Sequence, residues 1–214
     1  ALVLQALSAN MEALSAYPAT AGGLALRQAC SDWLKRRYQV SADPANQVLP
    51  VNGSREALFA FAQVIIDSSS AIKPVVISPN PFYQIYEGAA LLAGADTYYL
   101  NCNSDDGFVP DLDAVPETIW QRCQLLQLCA PGNPTGATLS LAYYKKAFEL
   151  ADKYDFIVSN DECYSELYRD EENPPLGILE ACQKLGRDQF ERCIVLHSLS
   201  KRSNLPGLRS GFVA

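Results

Sequence analysis

The sequence predicts an α/β domain with a mainly parallel sheet. Short apolar runs of strand type, such as Val75-Val76-Ile77, Phe156-Ile157-Val158 and Cys193-Ile194-Val195-Leu196, alternate with amphipathic helical stretches along the whole chain. Polar, turn-forming clusters recur directly after those runs, where an open α/β sheet binds its ligands. Of the 214 residues 49% are apolar, enough for one substantial core, and neither repeats nor a low-complexity linker divide them. The chain therefore reads as one domain.

The elements follow in order. Leu2, Leu4, Leu7, Met11 and Leu14, with few breakers between them, predict a helix over residues 1–16, and Tyr17 to Gly23 interrupts it as a loop. The next helix should bury Leu24, Leu26, Cys30, Trp33, Leu34 and Tyr38. Lys35-Arg36-Arg37 fall near its end, where they complement the helix dipole, and Ser41 to Pro44 closes it. A strand over 47–51 turns through Asn52-Gly53-Ser54-Arg55 directly into an apolar helix over 56–66. The strand 75–77 is halted by Pro79-Asn80-Pro81, and a helix runs from Phe82 to Ala93 with Gly94 as its stop. Then come a strand over 97–100, a polar loop over 101–110, a short helix over 111–120 and a strand over 125–129. Pro131 to Gly136 leads into a helix over 140–153 with Leu141, Tyr144, Phe148 and either Leu150 or Ala151 inward. The strand 156–158 delivers Asp161-Glu162-Cys163-Tyr164, and a solvated loop over 169–175 precedes a helix over 176–185. The strand 193–196 comes last. The chain starts without methionine and stops at Phe212-Val213-Ala214 inside an apolar element, so both ends read as cut.

Composition excludes several function classes. A net charge of −7 with no long Lys/Arg cluster argues against nucleic acid as a partner. Seven scattered cysteines without a C-x-x-C pair suit a reducing cytoplasm better than a disulfide framework or a zinc site. With His197 as the single histidine, multi-histidine metal sites are excluded. A hydrolase triad would need His197 together with a Gly-x-Ser-x-Gly elbow, which is absent, so His197 reads as structural. No apolar run has the length a bilayer requires, and no basic-then-apolar leader opens the chain.

The stretch Ser198 to Gly211 carries the chemistry. Lys201 follows an apolar strand, the hydroxyls of Ser198 and Ser200 precede it, and Arg209 lies eight residues on, across a Pro-Gly turn. A lysine amine can condense with a carbonyl when it is neutral part of the time, and hydroxyls with an arginine fork suit a phosphate dianion. The combination fits a carbonyl cofactor that bears a phosphate. Gly53-Ser54-Arg55 adds a helix start, a ready anion site, while Pro131 to Gly136 is too short in glycine spacing for a P-loop and no lysine follows Gly136.

Tyr17, Gly53-Ser54-Arg55, Tyr83, Asn133-Pro134-Thr135-Gly136, Asp161-x-x-Tyr164 and Ser198-x-Ser200-Lys201 with Arg209 together resemble the fold-type I, pyridoxal-phosphate-dependent aminotransferases of classes I and II. That resemblance implies a three-layer α/β/α large domain with a mainly parallel, mixed sheet over residues 1–214, incomplete without a small domain built from chain outside these residues. It implies that Lys201 holds pyridoxal 5'-phosphate covalently and moves the substrate proton, that Asp161 pairs with the ring nitrogen, and that Tyr164 and Asn133 bind the ring's phenolate oxygen. Tyr83 would stack on the ring, with Phe82 and Tyr86 as packing. Ser54 and Arg55 through their amides, with Gly53, Ser198, Ser200 and Arg209, would form the phosphate cup. Tyr17 would reach the phosphate of the other subunit of a homodimer. Ser210 departs from the family, which usually has an aliphatic residue there.

Two longer runs, Leu49 to Gln63 and His197 to Ala214, resemble the succinyldiaminopimelate transaminases of bacteria. They imply amino exchange between N-succinyl-LL-2,6-diaminopimelate and 2-oxoglutarate, on the route to lysine. Another amino-acid aminotransferase, a C–S β-lyase, or a non-catalytic binding module on the same fold are the alternatives. The isolated chain, lacking the small domain that grips the substrate, is expected to be inactive.

Overall fold

A computed structural model describes residues 2–214. Seven strands form one sheet: β1 (Leu49–Val51), β2 (Val75–Asn80), β3 (Asp96–Asn101), β4 (Cys123–Cys129), β5 (Ile157–Asp161), β6 (Cys193–Ser198) and β7 (Gly211–Val213). Their spatial order is β1-β7-β6-β5-β4-β2-β3. The five strands from β3 to β6 are mutually parallel, and β7 lies antiparallel between β6 and β1. The mainly parallel, mixed sheet expected from the sequence is therefore the one observed.

Helices cover both faces, so the inner strands β2, β4, β5 and β6 are largely buried on both sides, whereas β3 at one margin is half-buried. On one face α3 (Ser54–Ile65) and α4 (Ile85–Leu92) bring Ala62, Ala89 and Ala90 against Val76 of β2 and Leu125 of β4. On the other, α2 (Leu24–Tyr38), α6 (Leu141–Tyr154) and α7 (Ile178–Lys184) set Leu34, Tyr144, Phe148 and Ile178 against Ile77, Leu126, Leu128 and Val158. Ser140 caps α6 by accepting from the Tyr143 amide at 3.2 Å.

Several element boundaries differ from the sequence reading. The first helix, α1 (Leu2–Ala9), is shorter than expected; Met11–Ser15 is a separate 3-10 turn, and Ala1 lies outside the described residues. Neither piece buries a side chain, so their leucines carry helical periodicity without a core beneath them. In α2, Leu24 and Leu26 are exposed and Ser31 is buried instead, its hydroxyl donating to the Ala42 carbonyl. β2 runs through Pro79 to Asn80 rather than halting, because β3 pairs with it in register to the end. Phe82 to Gln84 precedes α4, whose first residue is Ile85. Pro116 divides the helix expected over 111–120 into a 3-10 turn, Leu112–Ala114, and α5 (Glu117–Trp120). In α6 the inward face is Tyr144, Ala147, Phe148 and Ala151, with Leu141 and Leu150 at its margin.

His197 is structural, as expected. It is 1% exposed and lies edge-on to Trp33 and tilted against Phe212, at 4.8 and 5.0 Å between ring centroids. Burial, with Arg202 and Arg37 nearby, depresses its basicity to about 3, so the ring is neutral.

Phe148 is enclosed between Tyr144, at 6.3 Å, and the Arg187 guanidinium, at 5.1 Å. Phe148→Ala should cost about 3–5 kcal/mol of stability in the full-length protein, measured by urea unfolding. A change below about 1 kcal/mol would show that the layer between α6 and the sheet collapses freely around the gap.

Candidate functional site

The topology brings the functional segments to one edge. Parallel β2, β4, β5 and β6 end there, and each is followed by a polar cluster: Tyr83 beyond β2, Asn133 beyond β4, Asp161 at the end of β5, and Ser198 at the end of β6. β1 runs parallel to β6, so Gly53-Ser54-Arg55 leave from the same edge. Antiparallel β7 begins at that edge, which places Arg209 there too. Between them lies a cleft of about 380 Å³ lined by Ser54, Arg55, Tyr83, Asn133, Asp161, Tyr164, Ser198, Ser200, Lys201 and Arg209.

One end of the cleft is built for an anion. Gly53 has φ +108°, a conformation few side chains tolerate, and α3 starts at the next residue with its amides free. A Cβ on Gly53 would overlap the Arg209 guanidinium, with Cζ at 2.8 Å, so the glycine also makes room for that cation. Arg209 is itself left-handed, φ +52°, and its Nη2 donates to Glu56 at 2.6 Å. Ser198 is buried and its Oγ accepts from the Ser200 amide at 3.1 Å, starting the short turn α8 (Leu199–Arg202) that carries Lys201.

The other end is built around Asp161. It is 3% exposed; the Tyr86 hydroxyl donates to its Oδ2 at 3.1 Å, and the Cys163 amide to Oδ1 at 3.3 Å. Among the described residues it forms no ion pair, and burial raises its carboxyl above the ordinary aspartate value despite those hydrogen bonds. Lys201 Nζ stands 6.0 Å from the centre of the Tyr164 ring, and burial raises the Tyr164 phenol. Tyr83 meets Tyr86 edge-on at 6.0 Å and lies 5.9 Å from the Arg55 guanidinium. Asn133 leads the turn that Gly136 closes at φ +73°, the Gly136 amide donating to the Gly132 carbonyl at 2.7 Å.

These residues fit pyridoxal phosphate on two independent counts. The Arg209 guanidinium packs into the space a Cβ on Gly53 would take, at the start of α3, and a buried carboxylate, with no ion-pair partner among the described residues, faces the same cleft as the lysine. Among the described residues no group of three His, Cys, Asp or Glu could hold a metal, and no helix is long and apolar enough to cross a membrane.

Of the residues expected around the cofactor in this subunit, Gly53 is not among the cleft's lining, and Tyr17, expected to serve the partner subunit, is fully exposed. Five lining residues escaped sequence reasoning: Cys129 and Pro206, which read only as a strand end and a turn, and Glu56, Cys163 and Tyr86. Glu56 holds Arg209, although its acidic side chain gives no sign of that in the sequence. Cys163, between Asp161 and Tyr164, lines the cleft, and burial beside Asp161 raises its thiol. Tyr86, read as packing, is 4% exposed and its hydroxyl donates to Asp161; its place one helical turn beyond Tyr83 was the available signal. Tyr86→Phe removes that donor while keeping the ring. It should weaken pyridoxal phosphate binding by the full-length protein about tenfold or more, on the scale of one hydrogen bond to a charged group, about 1.5–3 kcal/mol. Unchanged affinity in a fluorescence titration would show that Asp161 is held without it.

The comparisons with known proteins agree with this geometry. The model of the family "Aminotransferase class I and II" matches residues 2–214. An aminotransferase structure from Neisseria meningitidis Z2491 is 51% identical with a TM-score of 0.94, covering 99% of this chain and 53% of that one. A probable N-succinyldiaminopimelate aminotransferase from Thermus thermophilus is 30% identical with a TM-score of 0.82, over 97% of this chain and 54% of that one. The LL-diaminopimelate aminotransferase of Nitratidesulfovibrio vulgaris (strain DP4) is 36% identical over 195 residues, 91% of this chain and 48% of that protein. The chain thus spans about half the length of the curated relatives it matches. With the family's motifs gathered at one sheet edge and its model matched from end to end of the described residues, the chain belongs to the class I and II aminotransferases, whose cofactor is pyridoxal 5'-phosphate.

Proposed function

We propose that the full-length protein is a pyridoxal-phosphate-dependent aminotransferase and that this chain is the cofactor-binding part of its large domain, completed by a small domain outside residues 1–214. The observation that carries the reading is the buried Asp161, without an ion-pair partner among the described residues, in the same cleft as Lys201 and Arg209. Pyridoxal phosphate, when bound, supplies an electron-withdrawing ring that stabilises the electron pair left on the substrate Cα. Asp161 holds a proton at the ring nitrogen, and its burial strengthens that ion pair. Lys201 binds the cofactor and moves the proton at Cα through its Nζ. Tyr164 and Asn133 orient the ring through its phenolate oxygen, and Tyr83 stacks on its face. The Ser54 and Arg55 amides, the Ser198 and Ser200 groups and the Arg209 fork hold the phosphate at the helix start. Glu56 keeps that fork in place.

The substrates are an amino acid and a 2-oxo acid, and we assign N-succinyl-LL-2,6-diaminopimelate as the amino donor with 2-oxoglutarate as acceptor. The runs 49–63 and 197–214 support this assignment, as does the name of the Thermus neighbour. A second reading, LL-diaminopimelate itself as donor, is favoured by the names of the curated relatives. The exposed Tyr17 and the bare α1 suit a homodimer in which Tyr17 reaches the partner's phosphate, and the seven free cysteines suit a reducing cytoplasm.

Glutamate formation from 2-oxoglutarate by the full-length protein, measured with each donor, should be faster with the succinylated one. Lys201→Ala should lower it at least about 100-fold. Faster turnover of free LL-diaminopimelate would favour the second reading. Release of pyruvate and ammonia from a cysteine-type substrate without any 2-oxo acid would overturn the aminotransferase reading in favour of a β-lyase.

A further inference from the structure

The β5 edge carries two adjacent carboxyls, and the alternation of an extended chain sends them to opposite faces. Asp161 faces the cleft. Glu162 faces the layer between the sheet and α2, α6 and α7, is 1% exposed, and lines no part of the cleft.

Four elements converge on it. Glu162 Oε1 accepts from Asn160 Nδ2 of β5 at 2.8 Å and from the Ile178 amide of α7 at 2.6 Å. Its Oε2 accepts from the Tyr38 hydroxyl of α2 at 3.1 Å and lies 3.6 Å from His197 Nε2 of β6. Asn160 Nδ2 donates in turn to the Tyr144 hydroxyl of α6 at 3.0 Å. The packing leaves no slack: a Cβ on Gly177 would stand 2.9 Å from Glu162 Oε2 and 2.8 Å from Tyr38 Cε1. The backbone is clamped as well. The Glu162 amide donates to the Leu196 carbonyl at 2.9 Å, and its carbonyl accepts from the Ser165 amide at 3.1 Å, closing the turn that carries Cys163 and Tyr164.

We propose that Glu162 is a positioning residue: from the far face of the sheet it fixes the turn that presents Asp161 and Tyr164 to the cofactor. The inference rests on the cofactor-binding reading above. It accounts for a fully buried carboxyl whose partners all lie outside the cleft, since those bonds anchor Glu162 itself, with Asn160 and Ser165, and so fix the chain on either side of Asp161 and Tyr164.

Burial raises the Glu162 carboxyl to about 7, against the pull of Ile178 N, Asn160, Tyr38 and Arg37. The titratable and charged groups that interact with it are Tyr38 and Arg37 of α2, Tyr144 of α6, His197 and the Cys193 thiol of β6 and the Cys129 thiol of β4, of which His197 is neutral; α7 meets it through the Ile178 amide. With the folded value above the ordinary 4.5, its contribution to stability is fully present below pH 4.5 and is lost as pH rises through about 7. A protonated Glu162 keeps its place because the Tyr38 oxygen can turn to accept. Glu162→Gln mimics that acid, with its amide nitrogen donating to Tyr38. Glu162→Ala leaves the Asn160, Ile178 and Tyr38 donors without it.

The test uses the full-length protein and measures three things: pyridoxal phosphate dissociation constant, melting temperature without cofactor, and the pH midpoint of the bound cofactor's absorption change. Glu162→Ala should raise the dissociation constant about tenfold, on the scale of a lost hydrogen bond to a charged group, and move the midpoint by roughly half a unit or more. Glu162→Gln should restore affinity to within about threefold of the parent, and its melting temperature should gain on the parent's between pH 5 and 8. Should Glu162→Ala fail to fold, Tyr38→Phe, which removes one of the bonds without touching the cleft, should still raise the dissociation constant about two- to threefold. A lowered melting temperature with dissociation constant and midpoint unchanged in these variants would overturn the inference and leave Glu162 with a structural role alone. Failure of the parent protein itself to bind the cofactor would overturn the cofactor reading and this inference with it.

Discussion

A carboxylate held in a dry interior is costly unless an opposite charge answers it, and Asp161 has none in ion-pair contact among the described residues. Two hydrogen bonds, from the Tyr86 hydroxyl and the Cys163 amide, hold it at the floor of the cleft without neutralising it. The rest of the site is arranged around that carboxyl, which has no ion-pair partner among the described residues. In the proposed reading a cationic ring nitrogen would answer it, and the phosphate of the same ligand would take the start of α3 beside Gly53 and Arg209 at the other end of the cleft. The distance between the two ends is set by the sheet, because β1, β7, β6 and β5 are consecutive neighbours in it.

The sheet is therefore more than a scaffold for burial. Parallel strands end on one edge, so residues far apart in sequence, Tyr83, Asn133, Asp161 and Lys201, meet there with little loop between strand and site. β7, second in the order and the one strand that runs the other way, lets a segment returning from α8 place Arg209 at the same edge. Helices pack on both faces behind that edge, and the network behind β5 ties α2, α6 and α7 to the strand that carries Asp161.

Much of this was legible in the sequence. The alternation of apolar runs and amphipathic helices gives the layers, and glycines, prolines and polar clusters after each run mark the edge. What was not legible depends on the third dimension. Pro79 reads as a strand breaker, yet β2 continues through it because β3 supplies a partner in register. Leu24 and Leu26 read as core, yet α2 turns Ser31 inward to meet the Ala42 carbonyl. Tyr86 and Glu56 have ordinary helical surroundings in the sequence, and only the fold shows that one reaches Asp161 across the sheet edge and the other reaches Arg209 from a segment 153 residues away. Glu162 is the extreme case: next to Asp161 in the chain, it faces the opposite side of the sheet.

The central claim is that Lys201, Asp161 and the Arg209 cup form one cofactor site. The most direct test is to saturate the full-length protein with pyridoxal phosphate, reduce it with borohydride, and map the peptides by mass. A shared site predicts a phosphopyridoxyl adduct on Lys201. An intact Lys201 in the saturated, reduced protein would contradict it and leave the fold as a binding module whose cleft holds some other ligand.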